Sequence, residues 1–87
     1  MGALVDPPIA EFTSDQTTGI TPFTVQFEDA SMHTVTTYNW DFGDGNTSNE
    51  TSPEHVYETP GIYTVTLNVE GPNGSNTETK TDYITVL

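Results

Sequence analysis

Apolar and polar residues alternate with period two along most of this chain, and nowhere do they recur at the 3.6-residue spacing of an amphipathic helix. The cleanest run sets Tyr63, Val65, Leu67 and Val69 against Thr64, Thr66 and Asn68, which predicts the longest strand and a central one. Phe23, Val25 and Phe27 alternate with Thr24, Gln26 and Glu28, predicting a strand that ends near Asp29-Ala30-Ser31. Tyr38, Trp40 and Phe42 share one parity and Asn39 and Asp41 the other, so Thr37 to Phe42 is expected to form a strand with an aromatic inner face. Ile9 to Thr13 is expected as a first strand, and Asn76 to Val86 as a Thr-rich return strand that buries Ile84 and Val86.

The intervening segments carry turn chemistry. Gly43-Asp44-Gly45-Asn46 collects residue types that tolerate positive φ and must stop the strand before it. Asp15 to Pro22 reads as a loop, Pro60-Gly61 as a turn and Gly71-Pro72-Asn73-Gly74 as a hairpin loop. Asn46 to Pro53 is too polar for core and is expected as an edge strand or loop, with Pro53 blunting that edge. About seven short strands separated by turns predict an all-β fold, an immunoglobulin-like seven-stranded antiparallel β-sandwich. Trp40 stands where such sandwiches place their core Trp. Gly61-Ile62-Tyr63-Thr64-Val65 matches a tyrosine corner, with the Tyr63 hydroxyl expected on upstream backbone and Val65 where antibody domains have a second Cys. Aliphatic packing against Trp40 is expected in place of the disulfide.

Composition narrows the picture. With 87 residues and 32% hydrophobic content there is room for one modest core. Residues 1–8 are read as linker, because Pro7-Pro8 favours extended, unpaired backbone, with Met1 and Gly2 as start-codon and cloning residues, and residues 9–87 as a single domain. Cysteine is absent, which excludes disulfides, thiolate metal sites and a Cys nucleophile. Thirteen acidic residues face a single basic one, Lys80, for a net charge of -12, so phosphate backbones and anionic lipid are not partners. The acids are scattered, as on a solvated surface that resists aggregation. No apolar run of transmembrane length and no signal-peptide pattern is present, and the chain is expected to be one module of something larger. Seventeen Thr residues, a type suited to the solvent face of strands, agree with the all-β reading.

Trp40-Asp41-Phe42-Gly43-Asp44-Gly45, then His55-Val56-Tyr57, then Pro60-Gly61-Ile62-Tyr63-Thr64-Val65-Thr66-Leu67 closely resemble the PKD (polycystic kidney disease) domain family in order, type and spacing. Gly19 to Phe27 is similar to that family's second-strand entry. The resemblance implies an extracellular β-sandwich used as a spacer, adhesion or protein-contact module in archaeal surface-layer proteins and polycystin-type receptors, and beside catalytic domains of secreted proteases and chitinases. The acidic, Thr-rich, Cys-free character looks most like an archaeal cell-surface version. It also implies that the motif residues are architectural: Trp40 as core anchor, Asp44 and Gly45 as turn formers, and His55 and Tyr57 packing or bonding near that turn.

Four chemistries compete with a purely architectural role. Asp41 and Asp44 could act as paired catalytic carboxylates, but in a tight Asp-Gly turn such groups more often accept backbone N–H bonds, so no catalytic residue and no enzyme activity are expected. Glu28, Asp29, Asp41 and Asp44 would form a calcium site if their loops met at one end, and relatives beside bacterial collagenases bind calcium, but the spacing is not that of an EF-hand. The expectation is therefore no cofactor, with calcium as the weak competitor. His33 and His55 lack a third ligand for zinc. Sugar binding needs exposed aromatics, and only Tyr83 and Tyr57 escape the inward parity. Sequons at Asn46, Asn49 and Asn73 fall in expected loops and are candidate glycosylation sites. The expected role is a non-catalytic extracellular module, monomeric when isolated, that contacts neighbouring domains and extracellular proteins or carbohydrates. The alternative is an accessory module beside a secreted hydrolase, aiding polysaccharide or protein substrate binding.

Overall fold

The computed structural model describes residues 6–87. Eight strands follow in order: β1 Phe12–Ser14, β2 Thr18–Gly19, β3 Phe23–Asp29, β4 Thr37–Asp41, β5 Thr47–Ser48, β6 Glu54–Tyr57, β7 Gly61–Gly71 and β8 Gly74–Val86. They form a three-stranded sheet in the order β1-β3-β6 and a five-stranded sheet in the order β2-β8-β7-β4-β5. Every pairing is antiparallel except β2 with β8, and no helix occurs among the described residues. The molecule is an immunoglobulin-like β-sandwich, with β7 in the middle of the larger sheet as its alternation predicts.

The two inner faces meet in one core. Phe12, Phe23, Val25, Phe27 and Tyr57 come from the small sheet; Trp40, Val65, Leu67, Val69, Ile84 and Val86 come from the large one, and Phe42 closes the core just beyond β4. Around Trp40 stand Phe12 at 5.1 Å, Phe27 at 5.5 Å and Phe42 at 6.4 Å between ring centroids, in a core that also holds the fully buried Val25 and Val65. Three elements with inward Phe parity converge on one indole, and edge-on and offset contacts of this kind add to plain burial. The Trp40 indole N–H donates to the Glu50 carbonyl at 2.8 Å, so its one polar atom is satisfied.

Several local expectations shift. The strand expected over Ile9 to Thr13 pairs only from Phe12 to Ser14; the Ala10 N–H bonds the Asn76 side chain at 2.8 Å, and Ile9 makes an isolated bridge with Met32. Pro8 is fully buried and is therefore no free linker, while residues 1–5 lie outside the described residues. β2 forms inside the loop expected over Asp15 to Pro22, and β5 is the edge strand that was one of the two readings of Asn46 to Pro53, so that eight strands stand where about seven were expected. Pro53 does not blunt the β5 edge: it is fully buried, and its carbonyl accepts the Phe27 N–H at 2.9 Å. A register shift between Tyr63 and Val65 accompanies Asp82, whose φ is 52° and whose N–H donates to the Thr64 hydroxyl at 3.1 Å.

The long β7–β8 hairpin sets the geometry of the ends. At its turn, a Cβ built on Gly74 would stand 3.2 Å from the Pro7 side chain. At its open end Gly61 faces Val86, and the Leu87 N–H donates to Gly19 at 2.8 Å. The chain thus enters at one pole and leaves at the other, about 33 Å apart by the ten-residue rise of β7.

Candidate functional site

The turn after β4 is built by its own carboxylates. Asp41 Oδ1 accepts the Gly43 N–H at 2.9 Å and Asp44 Oδ1 accepts the Asn46 N–H at 3.1 Å. Gly43 and Gly45 take φ of 86° and 93°, the left-handed region that favours glycine. At Gly43 space matters as much as φ, because a Cβ there would meet the Thr64 carbonyl oxygen at 2.4 Å. The turn therefore lies directly against the β7 backbone.

β6 crosses beneath this turn and supplies His55 and Tyr57. The His55 Nε2–H donates to Asp44 Oδ2 at 2.6 Å, with only 13% and 16% of the two side chains exposed. The imidazole lies flat on Phe42, 4.1 Å between centroids and 7° from parallel, and edge-on to Tyr57 at 4.7 Å. The Tyr57 hydroxyl, wholly buried, donates to the Phe42 carbonyl at 2.9 Å. Burial opposes ionisation of Asp44, but the bonds from His55 and Asn46 outweigh it and hold its carboxyl below the usual range. Burial, then the charge of Asp44, pushes the Tyr57 phenol far up, so it stays a donor. Tyr63 packs on Tyr57 at 4.6 Å, and its hydroxyl donates to the Thr59 carbonyl, four residues upstream.

This constellation is a fastening between the two sheets. Asp41 and Asp44 each have one oxygen on turn backbone, and the second Asp44 oxygen is held by a histidine. Glu28 points outward on β3, and Asp29 binds the Ser31 N–H at 3.0 Å near β1, away from the turn. Among the described residues, no group of three or more His, Cys, Asp or Glu side chains is placed to hold a metal ion. His33 is exposed in a loop with φ of 68°. Tyr57 offers no sugar platform because it is fully buried, and Tyr83 is half-buried with its ring edge-on to Phe12 at 5.8 Å. Asn46, Asn49 and Asn73 are all exposed.

Two features escape sequence reasoning. Lys80 Nζ lies 3.1 Å from Glu11 Oε1 and above the Phe12 and Tyr83 rings at 5.2 and 5.6 Å, a cation-π clasp across the sandwich. The bond from Glu11 raises the Lys80 ammonium above its ordinary value. The only signal was that Lys80 is the chain's sole basic residue. The outer face of the large sheet also carries a cavity of about 340 Å³ lined by Asn39, Asp41, Thr47, Asn49, Thr66 and Asn68 among others. Its residues come from β4, β5 and β7 and from Asn49 just past β5, and the outward parity of Asn39, Asp41, Thr66 and Asn68 was the only hint.

The PKD domain family matches the chain over residues 5–86. Collagenase ColQ1 of Bacillus cereus is 47% identical over 47 residues, which is 54% of this chain and only 5% of that enzyme. The PKD1 domain of Vibrio cholerae metalloprotease PrtV superposes with a TM-score of 0.77 at 32% identity, covering 91% of this chain and 95% of that one. A protein from Methanosarcina mazei solved by NMR gives a TM-score of 0.71 at 39% identity, covering 97% of this chain and 57% of that one. With its Trp40 core, its Asp-Gly turn fastened by His55 and Tyr57, and a match over almost its whole length, the chain belongs to the PKD domain family.

Proposed function

We propose that this chain is a non-catalytic module that spaces and presents neighbouring parts of a larger extracellular or cell-surface protein. One observation carries the reading: the chain enters and leaves at opposite poles of an elongated sandwich, so each inserted copy lengthens the parent by about 33 Å. Tension applied at those poles reaches β2 and β8, whose parallel pairing is loaded along the strands. Three bonds there, Thr85 N–H to Thr17, Leu87 N–H to Gly19 and Thr21 N–H to Leu87, would have to shear together. The net charge of -12 keeps lateral copies apart. Neighbouring domains and extracellular proteins or carbohydrates are the partners this reading needs.

Pulling the module between its ends in a single-molecule experiment tests this. A spacer under load unfolds in one cooperative step; extension at forces no higher than those of an unstructured chain would sink the reading.

A second reading has its own support. The similarity to a collagenase and to a metalloprotease domain favours an accessory module that holds a polymeric substrate for an adjoining hydrolase. Collagen lies outside cells, so this reading shares the extracellular setting. Co-sedimentation of the isolated module with insoluble collagen or chitin separates the two: a plain spacer stays in the supernatant.

A further inference from the structure

Open sheets leave backbone groups unpaired at their edges, and in this sandwich the edges are not equally covered. The Phe27 N–H donates to the Pro53 carbonyl at 2.9 Å, so Pro53, His55 and Tyr57 turn their backbone groups toward β3, opposite Phe27, Val25 and Phe23. Glu54 and Val56, which face Gln26 and Thr24, therefore turn their N–H and C=O groups the other way, off the edge of the small sheet. Among the described residues these groups have no hydrogen-bond partner. The other edges are shorter or capped: β2 and β5 have two residues each, and on β1 the outward Phe12 N–H is taken by Glu11 Oε1 at 2.8 Å.

The side chains around the β6 edge define what would pair with it. Val56 stands 38% exposed on its outer face. A cavity of about 150 Å³ opens between the end of β6, the turn after β4 and the start of β7, lined by Asp44, Asn46, Val56, Glu58 and Tyr63 among others. Glu58 is exposed and has no ion-pair partner among the described residues, because the sole basic side chain, Lys80, is engaged by Glu11 and Glu78.

We propose that the free edge of β6 is a docking strand for an extended segment of a partner protein in which apolar and basic residues alternate. The proposal rests on the reading of the module as a contact unit and names what it contacts. Only an extended chain offers N–H and C=O groups at the spacing that Glu54 and Val56 present, and the side chains of such a chain alternate between faces. A residue opposite Val56 shares its outer face and packs on it, so that position is apolar. Its neighbours point the other way, toward the cavity, where Glu58, Asp44 and the Tyr63 ring favour an ammonium or guanidinium. Charge selects the same partner. At a net charge of -12 an acidic strand is repelled, and so is a second copy of this chain, which carries Glu54 and Glu58 along the same edge.

The test is an NMR titration of the module with the end-capped peptide Lys-Val-Lys-Val-Lys, against two controls: the same peptide with Glu in place of Lys, and the cationic peptide N-methylated at both Val. Docking predicts saturable shifts confined to Glu54 to Glu58, Asp44 and Tyr63. At a peptide concentration ten times its dissociation constant, it also predicts amide hydrogen exchange at Val56 about tenfold slower. Both control peptides leave that exchange unchanged, the methylated one because it keeps the charge but lacks the pairing N–H. Glu58→Lys, at an exposed position, weakens binding of the cationic peptide about threefold or more. Diffuse shifts over the acidic surface, equal for the methylated and unmethylated peptides, would show attraction by charge alone and overturn the docking strand. Shifts that depend on protein concentration without peptide, the mark of β6 pairing with itself, would overturn it as well. Either result leaves the spacer reading standing, since the pulling experiment on one module decides it separately.

Discussion

His55 and Asp44 meet at 2.6 Å with 13% and 16% of their side chains exposed, whereas Lys80 and Glu11 meet at 3.1 Å with 26% and 45% exposed. Both pairs span the sandwich, but they do different work. The first ties β6 to a turn lying against β7, and its imidazole is packed between Phe42 and Tyr57. The second drapes an ammonium over Phe12 and Tyr83 at the surface, where water competes for both charges. A short contact stabilises a fold to the extent that it is dry and that its partners are held by others; charge alone decides little.

The largest break in this contrast comes from the turn itself. Gly43→Ala combines a φ of 86° with a Cβ driven to 2.4 Å from the Thr64 carbonyl, and is expected to cost about 3 kcal/mol or more in urea denaturation. Gly45→Ala, with a φ of 93° and open space, is expected to cost about 1 kcal/mol. Equal losses would mean that the close approach to β7 carries no energy. Next, His55→Ala is expected to lose about 2–3 kcal/mol, because it removes the ring stacked on Phe42 and strips Asp44 of its partner. Unchanged thermal stability would dismiss the pair as a fastening.

Titration sharpens the comparison further. The Asp44 carboxyl is held below its ordinary value in the folded protein, so the native state binds fewer protons there than the unfolded state does. Its contribution is full above the ordinary carboxylate value near 4 and fades as pH falls through the depressed folded value. Asp44→Asn should therefore flatten the acid limb of a stability-pH curve while lowering stability at neutral pH; an unaltered limb would assign acid sensitivity to other carboxylates. Lys80→Ala is expected to cost less than about 1 kcal/mol, and salt should shrink that difference while leaving the His55→Ala loss intact. Smallest of all, calcium and magnesium are expected to produce the same weak, diffuse NMR shifts, since Asp29 lies away from Asp41 and Asp44; saturable shifts for calcium alone at those residues would establish a site.

Much of the architecture was legible because a strand's period exposes its inner face directly. The alternation of Tyr63 to Val69 placed β7 at the centre, and Trp40 marked the core anchor. Less was legible where pairing is short or distant. β2 and β5 are two residues each, too brief to show a period, and Pro53 reads as an edge breaker until burial against β3 gives it another duty. Nothing near Lys80 in the sequence announces Phe12 or Glu11, which are about seventy residues away and arrive only through packing.

The sequence by itself determined an all-β sandwich, an aromatic interior, a glycine-dependent turn and a strongly acidic chain, because these depend on local period, backbone freedom and net charge. The tertiary structure alone decided which carboxylate meets which base, which Pro is buried, and that the free edge of β6 lies beside a cavity lined by Asp44, Glu58 and Tyr63. Those are relations between residues far apart along the chain. Sheet register sets them, and a one-residue slip in pairing would move every side chain concerned to the opposite face.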